Sequence, residues 1–468
     1  MNAPTTATLP SPLRVLLRAA LCAVLFSGRA GLAHAAQGDG AAPADADGGG
    51  PLVVAAAPAA PLAAVSGAGS LRLTLRSFAE RLDLDQLGRH HAWVQAAQLE
   101  YVSPWTSGPV QFGMSASAYA ALTLAHDDTP TNLWYAGPAG AGRRHGWAYP
   151  GLYAAKVKLG ETVVQAGALP VANPIVEFKD NRALPSSFRG ALITSTSIAG
   201  LQLEAGSVDR VYARGTSYLA PLSTGYSGSA LRRVDFAGAL WQADPTTTLT
   251  VYAGRLLPLW DRYFAAVKKT YGDASDVEWT GEANLYVTRA RRASPIQAGG
   301  KSHSLALTGR HQQHSLTLAC QTIASDQVFD FLAETTGFYL SNAMATDYNA
   351  PHERSLQLRY LAAPGGLGPP GLTFMAWAVW GRLERQSAEA AKRSASDAPL
   401  HELYWKDGQP VHGKEREIGL SLGYVFQRGA LKDAKVTFIA AGHKAGRHHP
   451  DIGFHETRLV FDMPLQLF

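Results

Sequence analysis

The chain has 468 residues, 46% of them hydrophobic, with 42 basic and 37 acidic side chains and a formal net charge of +5. Three of those positive charges, Arg14, Arg18 and Arg29, fall within residues 1–35 with no acid beside them, so the rest of the chain is nearly neutral and holds no long Lys/Arg run. This excludes the basic footprint of a nucleic-acid binder, and with Cys22 in the leading segment and Cys320 alone after it, an intramolecular disulfide is excluded as well.

Residues 1–35 read as a secretory signal: Arg14 and Arg18 flank an apolar run through Leu21, Val24 and Phe26, and Ala33-His34-Ala35 has the small-x-small form of a cleavage site. Leu21 is too bulky for lipoprotein processing at Cys22. Residues 36–69, rich in Ala, Gly and Pro, have little to bury and read as a disordered leader. From Ser70 the pattern changes to alternation. Leu71, Leu73 and Leu75 oppose Arg72, Thr74 and Arg76; Leu316, Leu318 and Cys320 oppose Ser315, Thr317 and Gln321; Leu356, Leu358 and Tyr360 oppose Ser355, Gln357 and Arg359. A period of two is the signature of a strand with one apolar face.

The connections alternate in length. Short ones such as Leu159-Gly160-Glu161 and His311-Gln312-Gln313 lie between long ones near 126–150, 170–188, 211–231, 325–353 and 383–412. Outer-membrane barrels have short periplasmic turns and long external loops, and pairing the runs this way gives about 18 strands, an even number. The final stretch agrees. Leu459, Phe461, Met463, Leu465 and Leu467 alternate with polar positions including Arg458, Asp462 and Gln466, and the chain stops on Phe468. A soluble β-sandwich would also alternate, but it needs neither a signal nor a barrel-closing last strand. Aromatics near strand ends (Trp93, Tyr101, Trp105, Tyr119, Trp241, Trp279, Tyr360) suit interfacial girdles. The expected fold is therefore all-β: a transmembrane antiparallel β-barrel spanning 70–468.

A barrel of that size encloses water, so passage of solutes is the default function. Lys156 and Lys158 share one face of a strand, opposite Val157 and Leu159, and Arg359 and Arg458 also fall on polar faces. Basic side chains in a low-dielectric wall concentrate anions. Taken singly, each is better read as a solvated lumen residue; as a row, the functional reading becomes competitive. The stretch 168–189 carries Glu177, Lys179, Asp180 and Arg182 among three prolines and reads as an ordered loop.

Here the chain resembles the OprD family of outer-membrane porins. An R-x-x-P-x-x-x-x-G pattern matches Arg182, Pro185 and Gly190; Trp93 with Gln95, Gly200–Gly206, Asp326–Asp330, Ser355–Tyr360, Pro370–Phe374, Tyr424–Gln427 and Arg458–Pro464 follow in family order. The resemblance implies a third extracellular loop that folds inward, Asp326 and Asp330 facing the constriction, and a basic ladder along one wall. Arg182 and Arg458 match ladder positions, and Lys156 and Lys158 match a basic pair on the fourth strand; Gly423, Thr437, Ile439 and Trp377 stand where the family is often basic. It further implies passive, selective diffusion of carboxylate-bearing solutes such as amino acids or organic acids. The expected surroundings are outer-membrane lipid and lipopolysaccharide, the expected form a monomer or weak homotrimer, and no cofactor or metal is expected.

Two other readings are weighed. A general diffusion porin would share every feature above except selectivity. A barrel hydrolase would need a nucleophile and base held together; Ser302-His303-Ser304 supplies the residue types, and His448-His449 reads as exposed loop, without the ligand spacing of a metal centre.

Overall fold

The computed structural model describes residues 69–468, apart from 86–87, 127–144, 273–275, 293, 295–298, 336–337 and 396–400. The expected signal and nearly all of the leader, with most of loop 126–150, lie outside the described residues.

The chain forms a closed barrel of 18 antiparallel strands. They are β1 (Ser70–Leu84), β2 (Gly88–Val102), β3 (Val110–His126), β4 in two segments (Gly146–Tyr149 and Tyr153–Leu159), β5 (Thr162–Leu169) and β6 (Ser187–Ile198). β7 (Leu201–Tyr212), β8 (Arg233–Asp244), β9 (Thr247–Leu257), β10 (Trp260–Gly272), β11 (Glu278–Ala290) and β12 (Gly299–His311) follow. β13 (His314–Ala324), β14 (Glu353–Ala362), β15 (Leu372–Leu383), β16 (Gly413–Val425), β17 (Lys435–Ala445) and β18 (Phe454–Gln466) complete the ring. Each strand pairs with its sequence neighbours, and β18 returns to β1 with Arg72 opposite Gln466 and Leu84 opposite Phe454. The Leu71 amide donates to the Phe468 carbonyl at 3.1 Å. Among the described residues the ring thus closes without an open seam facing lipid, where an unpaired backbone group costs several kcal/mol.

β4 breaks between its segments because Pro150 offers no amide for the ladder. The Ser117 hydroxyl of β3 bridges the gap, donating to the Leu152 carbonyl at 2.7 Å and accepting from its amide.

The faces follow the period of two. Leu316, Leu318 and Cys320 on β13 point outward, as do Leu356 and Leu358 on β14, while Thr317, Ala319 and Gln321 are buried within. Trp93, Tyr263 and Trp380 are outward and exposed near one rim; Trp241, Tyr271 and Trp279 are so near the other. Tyr119 departs from the expected girdle. It points inward, almost fully buried, and donates its hydroxyl to Glu100 at 2.6 Å. A tyrosine at a strand end suits an interface or a polar partner inside, and the position alone does not distinguish them.

Four long loops gather at the rim opposite the termini: L3 (170–186), L4 (213–232), L7 (325–352) and L8 (384–412), with the shorter L9 (446–453) beside them. L8 carries two short helices, α1 (Ala388–Ala395) and α2 (His401–Tyr404).

Candidate functional site

The barrel's principal apolar cluster lies inside its mouth. Val171, Ile175 and Val176 of L3, Leu222 of L4 and Phe329, Phe331, Leu332 and Phe338 of L7 pack with Phe236, Tyr252, Phe264 and Tyr286 of the wall. Burial of these side chains orders three loops that, by length alone, would be mobile.

Polar contacts set where L3 runs. On one side the Tyr286 hydroxyl of β11 donates to the Pro174 carbonyl at 3.0 Å, and the Asn173 amide donates to Glu204 of β7 at 2.6 Å. Ile175 lies so close to β9 that a Cβ on Gly254 would stand 2.4 Å from its Cγ2. On the other side Arg76 of β1 donates to Asp180 at 2.5 Å, to the Arg182 carbonyl at 2.9 Å and to Asp462 of β18 at 2.6 Å. Arg182 donates to Glu80 of β1 at 3.0 Å, and Arg458 of β18 donates to the same oxygen at 2.9 Å and also to Glu456. L3 is thus tied to strands on both sides of the ring, and its second attachment is the β1–β18 closure.

L7 holds L3 and L4 in turn. The Ser186 hydroxyl donates to the Glu334 carbonyl at 2.7 Å, and Arg214 of L4 donates through Nε to the Glu334 carboxylate at 2.8 Å. Burial alone would raise the Glu334 carboxyl, but Arg214 overrides it and holds the group below its ordinary range. Asp330 accepts from the amides of Tyr226 and Ser227 at 2.9 and 3.0 Å and from the Ser227 hydroxyl at 2.7 Å. The Tyr226 hydroxyl donates to Asp347 at 2.8 Å. Burial pushes the Asp347 carboxyl up to about 6 despite Lys179 and that hydroxyl.

The residues singled out from sequence therefore fall into two groups. Arg182, Arg458, Asp180 and Asp330 face partners of opposite polarity in the wall or a neighbouring loop. Lys179 is buried in L3, Glu177 is half-buried and forms a bridge with Ala172, and Asp326 pairs with His352 at 2.6 Å in a more exposed position. Lys156, Lys158 and Arg359 differ. Each is on an inward-facing position, and among the described residues none has a carboxylate within ion-pair distance. They sit toward the end of the barrel that holds the termini, Lys156 and Lys158 on β4 and Arg359 on β14, well apart around the ring. Arg76 and Glu80, the wall partners of L3, had only the β1 alternation to point to them.

Ser302 and Ser304 are buried on the inner face of β12, whereas His303 between them is exposed on the outer face, so that triplet is not brought together. The expectation that His449 is exposed is overturned: it is fully buried, because L9 folds over the ends of β14 and β16.

Residues 67–467 match the family described as outer membrane porin, OprD family. The chain is 27% identical to Porin D of Pseudomonas aeruginosa over 85% of its own length and 91% of that protein. It is 23% identical to the porin-like protein GalP of Pseudomonas putida, covering 84% and 91% of the two chains. Among solved structures it superposes on Pseudomonas aeruginosa OccD3 (OpdP) with a TM-score of 0.74 at 28% identity, covering 86% of this chain and 92% of that one.

Proposed function

Given that the chain belongs to the OprD family of outer-membrane porins, we propose that this outer-membrane channel for small solutes favours those bearing a carboxylate. The observation that carries this reading is the contrast between paired and unpaired cations. Arg76, Arg182 and Arg458 spend their charge on Asp180, Asp462, Glu80 and Glu456, while Lys156, Lys158 and Arg359 carry charge with no acid at contact.

A cation already hydrogen-bonded to a buried carboxylate attracts a passing anion weakly, because the pair's field falls off as a dipole's. An unpaired ammonium in a narrow low-dielectric channel retains its full field. In this reading L3 narrows the lumen, and Arg182 and Arg458 shape the constriction. Lys156, Lys158 and Arg359 then draw the anionic group onward toward the periplasm, from different sides of the lumen.

Planar-bilayer recordings in a salt gradient test this. Wild type should prefer anions, and the triple variant K156Q/K158Q/R359Q should shift the reversal potential toward cations and pass small carboxylates more slowly. The shift shrinks in strong salt, since the Debye length falls from about 10 Å at 0.1 M to about 3 Å at 1 M. Identical reversal potentials for wild type and the triple variant refute the assignment and leave a general diffusion pore.

A further inference from the structure

The side chains of Glu353, at the start of β14, Glu415, near the start of β16, and His449 of L9 meet beneath the mouth loops, and nothing in the channel reading uses them. One ligand atom from each lies within 4.8 Å of the others, and the same holds for Glu415, His443 of β17 and Asp451 of L9. Both sets share Glu415, so three strands and one loop contribute five donors to two adjoining triplets. From this geometry we infer that Glu353, Glu415 and His449 bind a divalent cation of the zinc class, with His443 and Asp451 completing or orienting the donor set.

Several independent features point to a cation. Glu353 and His449 are fully buried, and Glu415 is only 3% exposed. Yet Oε1 of Glu353, Oε1 of Glu415 and Nε2 of His449 have no hydrogen-bond partner. The two oxygens approach a common point: each would stand 2.8 Å from a Cβ placed on Gly381 of β15. Acceptor faces acceptor there, so a proton or a cation must lie between them. The neighbouring lysine, Lys406, directs its ammonium to the His449 carbonyl at 2.8 Å instead.

The spacing suits a small ion. His449 Nε2 is 3.7 Å from Glu353 Oε1, and one ligand atom from each of Glu353, Glu415 and His449 lies within 4.8 Å of the others. Two ligands each about 2.1 Å from a tetrahedral zinc are about 3.4 Å apart, so the Glu353–His449 edge needs little contraction and Glu415 must close in further. The supporting contacts are those of an oriented donor set. Glu353 accepts from the Ala350 amide at 3.0 Å, and His443 Nδ1 lies 3.0 Å from the Ile452 carbonyl, turning its Nε2 to Glu415 at 2.8 Å. Mixed imidazole and carboxylate donors favour zinc over magnesium or calcium, which take all-oxygen shells. Asp451 is half-buried, so the donor set is not wholly sealed from solvent. A bound ion would pin L9 to the ends of β14 and β16.

The test is equilibrium dialysis of the purified full-length barrel in detergent against zinc chloride, with metal counted by mass spectrometry. Wild type should hold one zinc per chain at neutral pH, and calcium should not displace it. H449Q and E415Q should each weaken binding about tenfold or more. H412Q/H448Q, which removes the half-buried stacked pair 5.1 Å apart, should leave it intact. G381A keeps all five donors but places a methyl between the oxygens, and should also lose zinc. X-ray absorption of the wild-type complex should show nitrogen and oxygen neighbours including imidazole, a readout that needs no variant to fold. Absence of stoichiometric zinc in wild type would mean that Glu353 and Glu415 share a proton, and would overturn the inference. So would zinc that is lost in H412Q/H448Q and kept in H449Q.

Discussion

Arg182 of L3 donates to Glu80 of β1 at 3.0 Å, with both side chains almost wholly buried. Because Arg458 uses the same oxygen and Glu456 closes the group, two basic and two acidic side chains form one buried cluster. Glu80 thus joins L3 to the seam that closes the barrel, beside the parallel link that Arg76 makes between Asp180 and Asp462.

Replacing that carboxylate leaves two buried cations facing one acid. Breaking one side of a buried pair costs on the order of 3–5 kcal/mol. Glu80→Gln should lower the temperature at which the barrel loses its compact electrophoretic mobility, and should add current noise as L3 loosens. The double variant E80Q/R182M removes one orphaned cation and should recover part of the loss. A double variant no better than E80Q would show that Arg182 and Glu80 act independently.

The opposite attachment of L3 adds a close steric contact to its hydrogen bonds. A Cβ at position 254 would lie 2.4 Å from Ile175 Cγ2, so Gly254→Val must displace the loop or the wall. With the barrel intact, single-channel conductance should rise because L3 moves away from β9. Unchanged conductance in a folded G254V barrel would show that this contact does not set the pore.

Acidity should act on L7 in two directions. Burial holds the Asp347 carboxyl at about 6, above its ordinary 3.8. The folded chain therefore binds this proton more tightly than the unfolded chain. Its contribution to stability is complete below about pH 4 and disappears as pH rises through about 6. Glu334 is held low instead, and its contribution is present above its ordinary 4.5 and lost as pH falls. Asp347→Asn should remove the loss between pH 4 and 6 and stabilise the barrel at pH 7, by on the order of 3 kcal/mol. A D347N melting profile parallel to wild type across that range would refute the assignment.

Closure depends on β18. Thirteen residues from Phe454 to Gln466 pair with β17 or β1, and Leu467 and Phe468 extend the contact to Leu71. Deleting 454–468 would leave both β1 and β17 with open edges in lipid, so no heat-modifiable barrel should assemble. Recovery of a protease-resistant barrel from that truncation would refute the closing role.

The alternation of Leu316, Leu318 and Cys320 against Thr317 and Gln321, and of Lys156 against Val157, was legible from the chain alone and predicts the faces found. That is a local property: successive strand side chains point opposite ways whatever the rest of the molecule does. The same holds for the even strand number, since it follows from counting short and long connections. Which charges remain available was not legible. Glu80 meets Arg182 across 102 residues and Arg458 across 378, and no spacing rule reaches that far. His449 in the hydrophilic run Arg447-His448-His449 reads as surface, yet L9 carries it under the mouth beside two acids from different strands. Strand identity is written in neighbouring residues, whereas the pairing of a buried charge depends on where the closed ring and its infolded loops bring distant residues together.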